Sequence, residues 1–353
     1  MKNNTLSYHE QVNRENVTKL RNIISKLPKF AARFFRGIEE YTSSRTRIAY
    51  AYDLRVFFEF IKTNTNYYDC EIIDYPIDIL NCITRDDIEE FLQYLSLYDK
   101  DDQTHSNEER GKMRKLATIR SFYKYYFQNE EIEKNTAELI PMPKLHEKAI
   151  IRLDADEVAD LLDLVENGEG ASKSENRYLK KTRIRDLAIL TLLLGTGIRV
   201  SECVGLNLQD IDEKNHAIKV YRKGGYEAFV YYGEEVAEAL SDYLEKRAMI
   251  MPQEGHEDAL FLSLQNRRIT VRAVENMVKK YASRITTLKH ITPHKLRSTY
   301  GTALYRETGD IYLVADVLGH KDVNTTRKHY AAQDEDRRRR AASAVTLRGS
   351  DDK

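Results

Sequence analysis

The sequence lacks any long apolar run. No stretch of the 353 residues approaches the roughly 18 consecutive apolar residues that a membrane-spanning helix needs, which excludes an integral membrane protein. The first ten residues, Met1 to Glu10, are polar and do not resemble a secretory leader. We therefore expect a soluble, cytoplasmic protein with no membrane partner.

Cysteine is also scarce. Cys70, Cys82 and Cys203 are odd in number and stand at unrelated spacings, unlike the cysteines of a disulfide framework or a C-x-x-C metal site. We expect them to be reduced packing residues. Because no carboxylate cluster or Cys/His spacing suggests a metal site, the sequence predicts neither a metal nor another cofactor.

Neither sign of charge is in surplus. The 56 Lys and Arg residues equal the 56 Asp and Glu residues, so the net charge gives no support for a nucleic-acid partner. The charges are nevertheless segregated along the chain. Acidic residues gather in 68–78 and 154–169, and basic residues gather in 114–124, 180–185 and 337–340. Such segregation permits a basic face on the folded protein.

The length of the chain predicts two domains, because one hydrophobic core rarely keeps growing at this size. Helical periodicity extends from about Tyr8 to Phe127, and the segment after Asn135 contains Pro141 and Pro143. We therefore predict a helical domain over residues 1–140, a linker over 141–152, and a second domain with a C-terminal tail helix over 153–353.

Two helices of the first domain are distinct in the pattern. One covers Arg45 to Ile61 and is capped by Ser43 or Ser44, with Arg47 off its apolar stripe. The other covers Arg114 to Gln128. It leaves four cations largely free of its apolar face: Arg114, Lys115, Arg120 and Lys124. Asp99 to Arg110 is polar and is predicted to be a loop.

The second domain is predicted to be mixed. A helix over Leu153 to Leu164 is followed by a buried helix over Arg185 to Leu194, which ends in the turn Gly195-Thr-Gly197. Strand-like alternation then predicts a hairpin from Ala217 to Tyr221 and Glu227 to Tyr232. Because helices resume at Glu234, the fold class is mainly α with a small antiparallel sheet.

Three polar motifs in the second domain follow one another. Arg199 precedes Glu202 by three residues just after the Gly197 turn, and this carboxylate can orient the guanidinium. His294 and Arg297 are also three apart, so they project from one helical face. Leu318-Gly-His320 is followed ten residues later by Tyr330. Taken singly, these motifs are compatible with a salt bridge, a solvated helix face and ordinary packing.

Taken in order, the motifs resemble the tyrosine recombinase (phage integrase) family. They are Thr-Gly-Ile-Arg-x-Ser-Glu, His-x-Leu-Arg, and Leu-Gly-His ahead of a Tyr. Thr46-x-x-x-Tyr50-x-x-Asp53-Leu54 and Leu116 to Tyr123 resemble the core-binding domain of that family, so the likeness covers most of the chain. It is closest to Xer-type enzymes, in the single-recombinase XerS-like branch. The resemblance implies a SAM-like helical bundle followed by a mixed α/β catalytic domain.

The resemblance also implies a role for each matching residue in phosphodiester cleavage. Tyr330 is the nucleophile, and Arg199 and Arg297 hold the non-bridging oxygens. His294 handles the tyrosine proton, and His320 donates a hydrogen bond to the phosphate. Lys223, on the hairpin turn, is the general acid. Glu202 supports Arg199, and Ser298 stands where a second histidine is frequent in the family, which concerns helix packing more than catalysis.

The expected substrate is double-stranded DNA with inverted-repeat half-sites. Contacts with its phosphates are expected from seven cations: Arg47, Arg114, Lys115, Arg120, Lys124, Arg268 and Arg272. By resemblance, the chain assembles as a homotetramer on paired sites by exchange of its C-terminal helix, whose apolar face includes Ala341 and Leu347, and a DNA translocase is a further candidate partner.

Xer-like chromosome dimer resolution is the leading function. Integration or excision of a mobile element or phage shares the same mechanism. A type IB topoisomerase-like enzyme uses similar residues but reseals the same strand. A non-catalytic DNA-binding regulator is the alternative outside the enzymes, although the candidate catalytic set is complete.

Overall fold

The computed structural model describes residues 7–100, 103–144, 150–168, 173–222, 225–320, 322–324 and 326. The chain divides into two compact units, residues 1–148 and residues 149–353. Within the described ranges, every helix is too short or too polar to cross a lipid bilayer.

The first unit is a helical bundle. Its helices are α1 (Tyr8–Ile24), α2 (Ala31–Gly37), α3 (Ser44–Asn64), α4 (Ile79–Cys82), α5 (Arg85–Tyr94) and α6 (Glu109–Gln128). Two short strands, β1 (Tyr98–Lys100) and β2 (Gln103–His105), pair in antiparallel fashion between α5 and α6. The loop predicted over Asp99 to Arg110 is therefore wrong in part. The ring of Tyr98 stacks on that of His105 and joins these otherwise polar strands. Helix α6 also begins at Glu109, inside the predicted loop.

The predicted helix around Arg45 to Ile61 is confirmed as α3. Ser43 caps it, because the Ser43 hydroxyl accepts a hydrogen bond from the Thr46 amide. Its apolar stripe packs into an aromatic core in which Phe58 and Phe34 meet the edge of Phe122 on α6. Each such ring pair contributes about 1 kcal/mol beyond the area it buries.

The second unit is mixed. Its helices are α7 (Ala155–Asn167), α8 (Lys173–Thr196), α9 (Val200–Gly205), α10 (Glu234–Ala248), α11 (Val271–Ile285), α12 (Pro293–Thr308) and α13 (Ile311–Leu318). Between α9 and α10 lie β3 (Ile211–Asp212), β4 (Ala217–Tyr221) and β5 (Glu227–Tyr231). Helix α8 packs against α7, α10 and α12, so its buried C-terminal half forms the centre of the unit.

The strands form one antiparallel sheet in the order β3-β4-β5. The predicted hairpin is confirmed, with Ile218 opposite Val230 and Tyr221 opposite Glu227. Together with the helices, this sheet confirms the predicted fold class, mainly α with a small antiparallel sheet. Arg222, which directly follows β4, contacts the end of α13.

Candidate active site

The turn between α8 and α9 positions Arg199. Gly197 adopts φ +63°, and a Cβ at this residue would lie 2.4 Å from a ring carbon of Tyr300. Glycine is therefore required both by the backbone conformation and by the close approach of α12. Two residues after this turn glycine, Arg199 is the N-cap residue of α9.

Glu202 fixes Arg199 from one turn into α9. Its carboxylate accepts from the Arg199 amide at 2.8 Å and from Arg199 Nη1 at 2.7 Å. The Glu202 side chain is 4% exposed and the Arg199 side chain is 34% exposed. The buried carboxylate thus holds a guanidinium group that still faces solvent, as the motif predicts.

Arg297 lies on the second turn of α12 and is 4% exposed. Its Nη1 donates to the carbonyl oxygen of Gly197 at 2.6 Å, and its Nη2 donates to the carbonyl oxygen of Leu318. One guanidinium therefore connects the turn before Arg199 to the C-terminal end of α13.

The end of α13 carries His320. Gly319 adopts a left-handed conformation and its amide bonds to Asp316, while the His320 amide bonds to the Ala315 carbonyl at 2.8 Å. These two bonds form a Schellman motif that fixes the His320 backbone. The His320 ring Nδ1 lies 2.7 Å from the Thr326 hydroxyl. Arg199 Nη2 donates to the Gly319 carbonyl at 3.3 Å, so the first arginine also reaches this helix end.

The remaining predicted catalytic residues are placed differently. His294 lies in the first turn of α12 with an exposed side chain. Ser298 donates to the His294 carbonyl at 3.1 Å and α12 continues past it, so this departure from the family pattern leaves the helix intact. Lys223, Tyr330 and the tail helix lie outside the described residues.

Arg222 is a residue that the motif reasoning missed. Its guanidinium donates to the carbonyl oxygens of Asp316 and Val317, at 3.2 and 2.7 Å. A cavity of about 480 Å³ lies between the hairpin and α13, and Tyr300 and His320 are among the residues that line it. Burial raises the pKa of Tyr300. The only sequence signal for Arg222 was its position beside Lys223.

Three of the cations predicted to contact DNA from the first unit instead bind acceptor groups of the protein itself. Arg47 is buried and its Nη1 pairs with Glu39 at 2.5 Å. Lys115 is buried, with Nζ 3.2 Å from the buried carboxylate of Asp53. Arg120 donates to three main-chain carbonyl groups, those of Ala137, Glu138 and Ile140. The prediction that Lys115 and Arg120 are left largely free is wrong, because Lys115 pairs with the buried Asp53 carboxylate and Arg120 is held by main-chain carbonyl groups.

Of the other four cations predicted to contact DNA, three present some of their charge to solvent. Arg114 pairs with Asp53, yet its side chain is 48% exposed. Lys124 is exposed on α6, and Arg272 is exposed on α11 with Glu275 at 3.4 Å. Arg268 instead donates to the carbonyl groups of Val204 and Leu206 and to the Asn207 side chain. Arg268 therefore braces the loop after α9.

Known proteins are similar to this chain in sequence and in fold. Tyrosine recombinase XerC of Caldanaerobacter subterraneus subsp. tengcongensis is 35% identical over 297 residues, which span 81% of this chain and 77% of the relative. XerH site-specific recombinase bound to palindromic difH substrate has a similar fold, with a TM-score of 0.64 and 20% identity, over 85% of this chain and 80% of that one. The Tn1549 transposon integrase in complex with a circular intermediate DNA also has a TM-score of 0.64, with 18% identity, over 89% of this chain and 98% of that one.

The sequence profile of the Phage integrase family matches residues 151–337, which span the turn before Arg199, the hairpin and the end of α13. This match covers more than half of the chain, and the relative that is 35% identical extends the likeness into the first unit. The chain therefore belongs to the phage integrase (tyrosine recombinase) family and is a site-specific DNA recombinase.

Proposed function

We propose that this recombinase cuts and rejoins DNA through a 3′-phosphotyrosyl intermediate on Tyr330. The Tyr330 oxygen attacks the scissile phosphorus, the bond from phosphorus to the 5′ oxygen breaks, and the 5′ end leaves as a hydroxyl group. A 5′ hydroxyl from the partner duplex then attacks the same phosphorus. This second step restores a phosphodiester and the tyrosine, so the bond energy is conserved.

The observation that carries the proposal is the convergence of Arg199, Arg297 and His320 on the end of α13. Guanidinium groups are permanently charged and planar, which suits the two non-bridging oxygens of a phosphate. Arg199 is the more exposed of the two and Arg297 lies deeper. Because these charges are held in place before reaction, they stabilise the extra negative charge of the transition state.

The proton transfers are assigned to His294 and Lys223. The exposed His294 accepts the proton that Tyr330 loses, and Lys223 protonates the departing 5′ oxygen. His320, whose ring is oriented by Thr326, donates a hydrogen bond to the phosphate. The reaction needs no metal and no other cofactor, since the two arginines supply the charge that divalent ions supply in other enzymes.

We further propose a Xer-like role in chromosome dimer resolution, in the single-recombinase XerS-like branch. The Xer names of the relatives support this role. The substrate is duplex DNA with inverted-repeat half-sites in the cytoplasm, bound by residues 1–140 and 153–353 on either side of the linker. A homotetramer forms through exchange of the tail helix, and a DNA translocase controls strand exchange. Mobile-element integration is the second candidate, favoured by the likeness to the Tn1549 integrase.

A nicked suicide DNA substrate tests the chemistry. The wild-type chain should form a covalent protein–DNA adduct, with or without a chelator, and Tyr330→Phe should form none. Tyr300→Phe is the control for removal of a phenol, because Tyr300 lines the cavity beside His320. This variant should still form the adduct. An adduct with Tyr330→Phe would show that another residue is the nucleophile, and loss of the adduct in chelator would contradict the metal-free reaction.

Two further measurements separate the alternatives. A non-catalytic regulator would form no adduct with the wild-type chain, and a topoisomerase-like enzyme would form the adduct but never join strands from two duplexes. Deleting the gene in the host should cause dimeric chromosomes to accumulate. Unchanged chromosome dimers together with loss of an excised DNA circle would instead support the mobile-element role.

A further inference from the structure

The main chain of Arg222 is fixed at the base of the β4–β5 hairpin. Its amide donates to the Tyr226 carbonyl at 3.0 Å, and its own carbonyl accepts from the Gly225 amide at 3.0 Å. These two bonds close the hairpin just outside the turn that contains Lys223 in the sequence. Because Lys223 is the next residue in the chain, a shift of Arg222 also shifts Lys223.

The side chain of Arg222 ties this base to α13. Its Nη1 and Nη2 donate to the carbonyl oxygens of Asp316 and Val317 in the last turn. The Asp316 carbonyl also accepts from the Gly319 amide, but a carbonyl oxygen has two lone pairs and can accept a second bond. The last carbonyl groups of a helix lie at the negative end of the helix dipole, so a guanidinium is a favourable ligand for them. A Cβ on Gly319 would lie only 1.8 Å from Arg222 Nη1, so the two groups are in direct contact.

Three arginines thus share one helix end. Arg222 takes the carbonyl groups of 316 and 317, Arg297 takes that of 318, and Arg199 takes that of 319. If Arg222 were removed, the helix end would keep its bonds to Arg297 and Arg199. The hairpin, in contrast, would lose the two hydrogen bonds that join its base to α13.

We infer that Arg222 is a positioning residue, which fixes the base of the β4–β5 hairpin to the end of α13, where Arg199, Arg297 and His320 meet. Because Lys223 follows Arg222 directly in the chain, this attachment restrains Lys223 as well. This inference rests on the proposed role of Lys223 as the general acid. Arg222 acts through Lys223 and makes no contact of its own with the reacting atoms. A displacement of an acid by about 1 Å is enough to slow a reaction by about 100-fold.

A change of leaving group tests this role. In a DNA substrate whose scissile 5′ bridging oxygen is replaced by sulfur, the leaving group is a thiolate, which departs without receiving a proton. Any variant that slows cleavage only by misplacing or removing the acid should therefore regain its rate on the sulfur substrate. A variant that damages the phosphate site or the fold should stay slow on both substrates.

Single-turnover cleavage by Arg222→Ala should be about 10- to 100-fold slower than wild type on ordinary DNA, and within about threefold of wild type on the sulfur substrate. Arg222→Lys, which keeps the charge but cannot donate to two carbonyl groups as a fork, should show a smaller loss and the same recovery. Arg85→Ala removes a guanidinium on α5 of the first unit that pairs with Glu89 of the same helix, and it should match wild type on both substrates.

Lys223→Ala separates this inference from the proposed function. If Lys223→Ala is not rescued by sulfur, the general-acid assignment fails and the role given to Arg222 fails with it. If Lys223→Ala is rescued but the Arg222 variants are either unimpaired or equally slow on both substrates, Lys223 stands and the inference about Arg222 is overturned. Thermal unfolding identifies any variant too unstable to assay, in which case Arg222→Lys decides the matter.

Discussion

Arg297 on α12 donates from Nη1 to the carbonyl oxygen of Gly197 at 2.6 Å, although the two residues are 100 positions apart in the chain. The bond joins the helix that carries one of the two arginines proposed to bind phosphate to the turn that precedes the other. Because Arg297 also reaches the Leu318 carbonyl, the three sequence motifs meet at one buried guanidinium. The same side chain therefore supports both the fold and the proposed chemistry.

Arg297→Lys should lower both the stability of the protein and the rate of the proposed cleavage. A lysine keeps the charge but cannot donate in two directions as a fork, so at least one buried carbonyl group loses its partner. We expect the free energy of unfolding to fall by about 2–3 kcal/mol, measured with urea, and adduct formation to slow by about 100-fold or more. Arg183→Lys, at an exposed position on α8, is the control for the exchange of side chains. Unchanged stability in Arg297→Lys would show that the two backbone bonds contribute little.

Gly319→Ala tests the contact between α13 and Arg222. Gly319 has φ +63°, and an added Cβ would collide with the Arg222 guanidinium. Gly255→Ala is a matched control, because Gly255 has φ +82° and no atom within 4 Å of a Cβ. Both changes should cost about 1–2 kcal/mol for the left-handed backbone.

Only Gly319→Ala should also slow cleavage, by about tenfold, because Arg222 must move away from the helix end. In the double variant with Arg222→Ala, the added methyl group should have little further effect on cleavage. The measurement is single-turnover cleavage beside urea unfolding. Equal behaviour of Gly319→Ala and Gly255→Ala in both assays would show that the contact between Gly319 and Arg222 does not affect the rate of cleavage.

The helices and the hairpin could be predicted because their signals are local. Ser43 ahead of an apolar stripe predicts the start of α3, and alternation on both sides of a glycine turn predicts β4 and β5. The convergence of Arg199 and Arg297 followed from motif order and family resemblance, since nothing in their spacing places Gly197 against α12.

The partners of the cations could not be predicted in this way. A helical pattern shows that Lys115 lies beside the apolar stripe of α6, but it does not show that Asp53 on α3 is buried opposite it. In the same way, Arg120 and Arg222 are surface cations by pattern, yet both donate to carbonyl groups of segments distant in the chain. Such pairings depend on tertiary packing.

An exposed cation and a cation held by carbonyl groups of the protein should affect DNA binding differently. Lys124→Ala removes an exposed cation, so it should weaken binding to any DNA sequence and lower the slope of log K against log salt by about 1. Arg120→Ala should leave that slope unchanged and instead lower the unfolding free energy of the protein, because it removes bonds to main-chain carbonyl groups. Binding titrations over a range of salt concentrations would contradict the assignment if the two variants changed the slope equally.

Cys203 should be a sensor of opening in the second unit. Burial raises the pKa of its thiol to about 12, and the neighbouring Glu202 carboxylate acts in the same direction. Only the thiolate is nucleophilic, and at pH 8 roughly 10⁻⁴ of this thiol is ionised. We therefore expect iodoacetamide to label the exposed Cys82 rapidly and Cys203 only when the unit unfolds, as followed by peptide mass analysis. Rapid labelling of Cys203 in the native protein would show that α9 opens readily.

Glu202→Gln should separate orientation of Arg199 from binding of DNA. The carboxylate accepts from both the amide and Nη1 of Arg199, whereas a glutamine can accept through its oxygen only and presents an NH₂ group in place of the other acceptor. Arg199 keeps its charge but loses part of its orientation. The rate of adduct formation at saturating DNA should therefore fall by about tenfold, while the affinity for DNA changes little.

Glu157→Gln is the control for this change, because Glu157 forms the same kind of capping bond with the Asp154 amide on α7 but holds no arginine of the site. It should leave the rate unchanged. If Glu202→Gln weakened DNA binding without slowing adduct formation, the carboxylate would be tuning ground-state attraction for DNA. Its bonds to Arg199 would then have no part in stabilising the transition state.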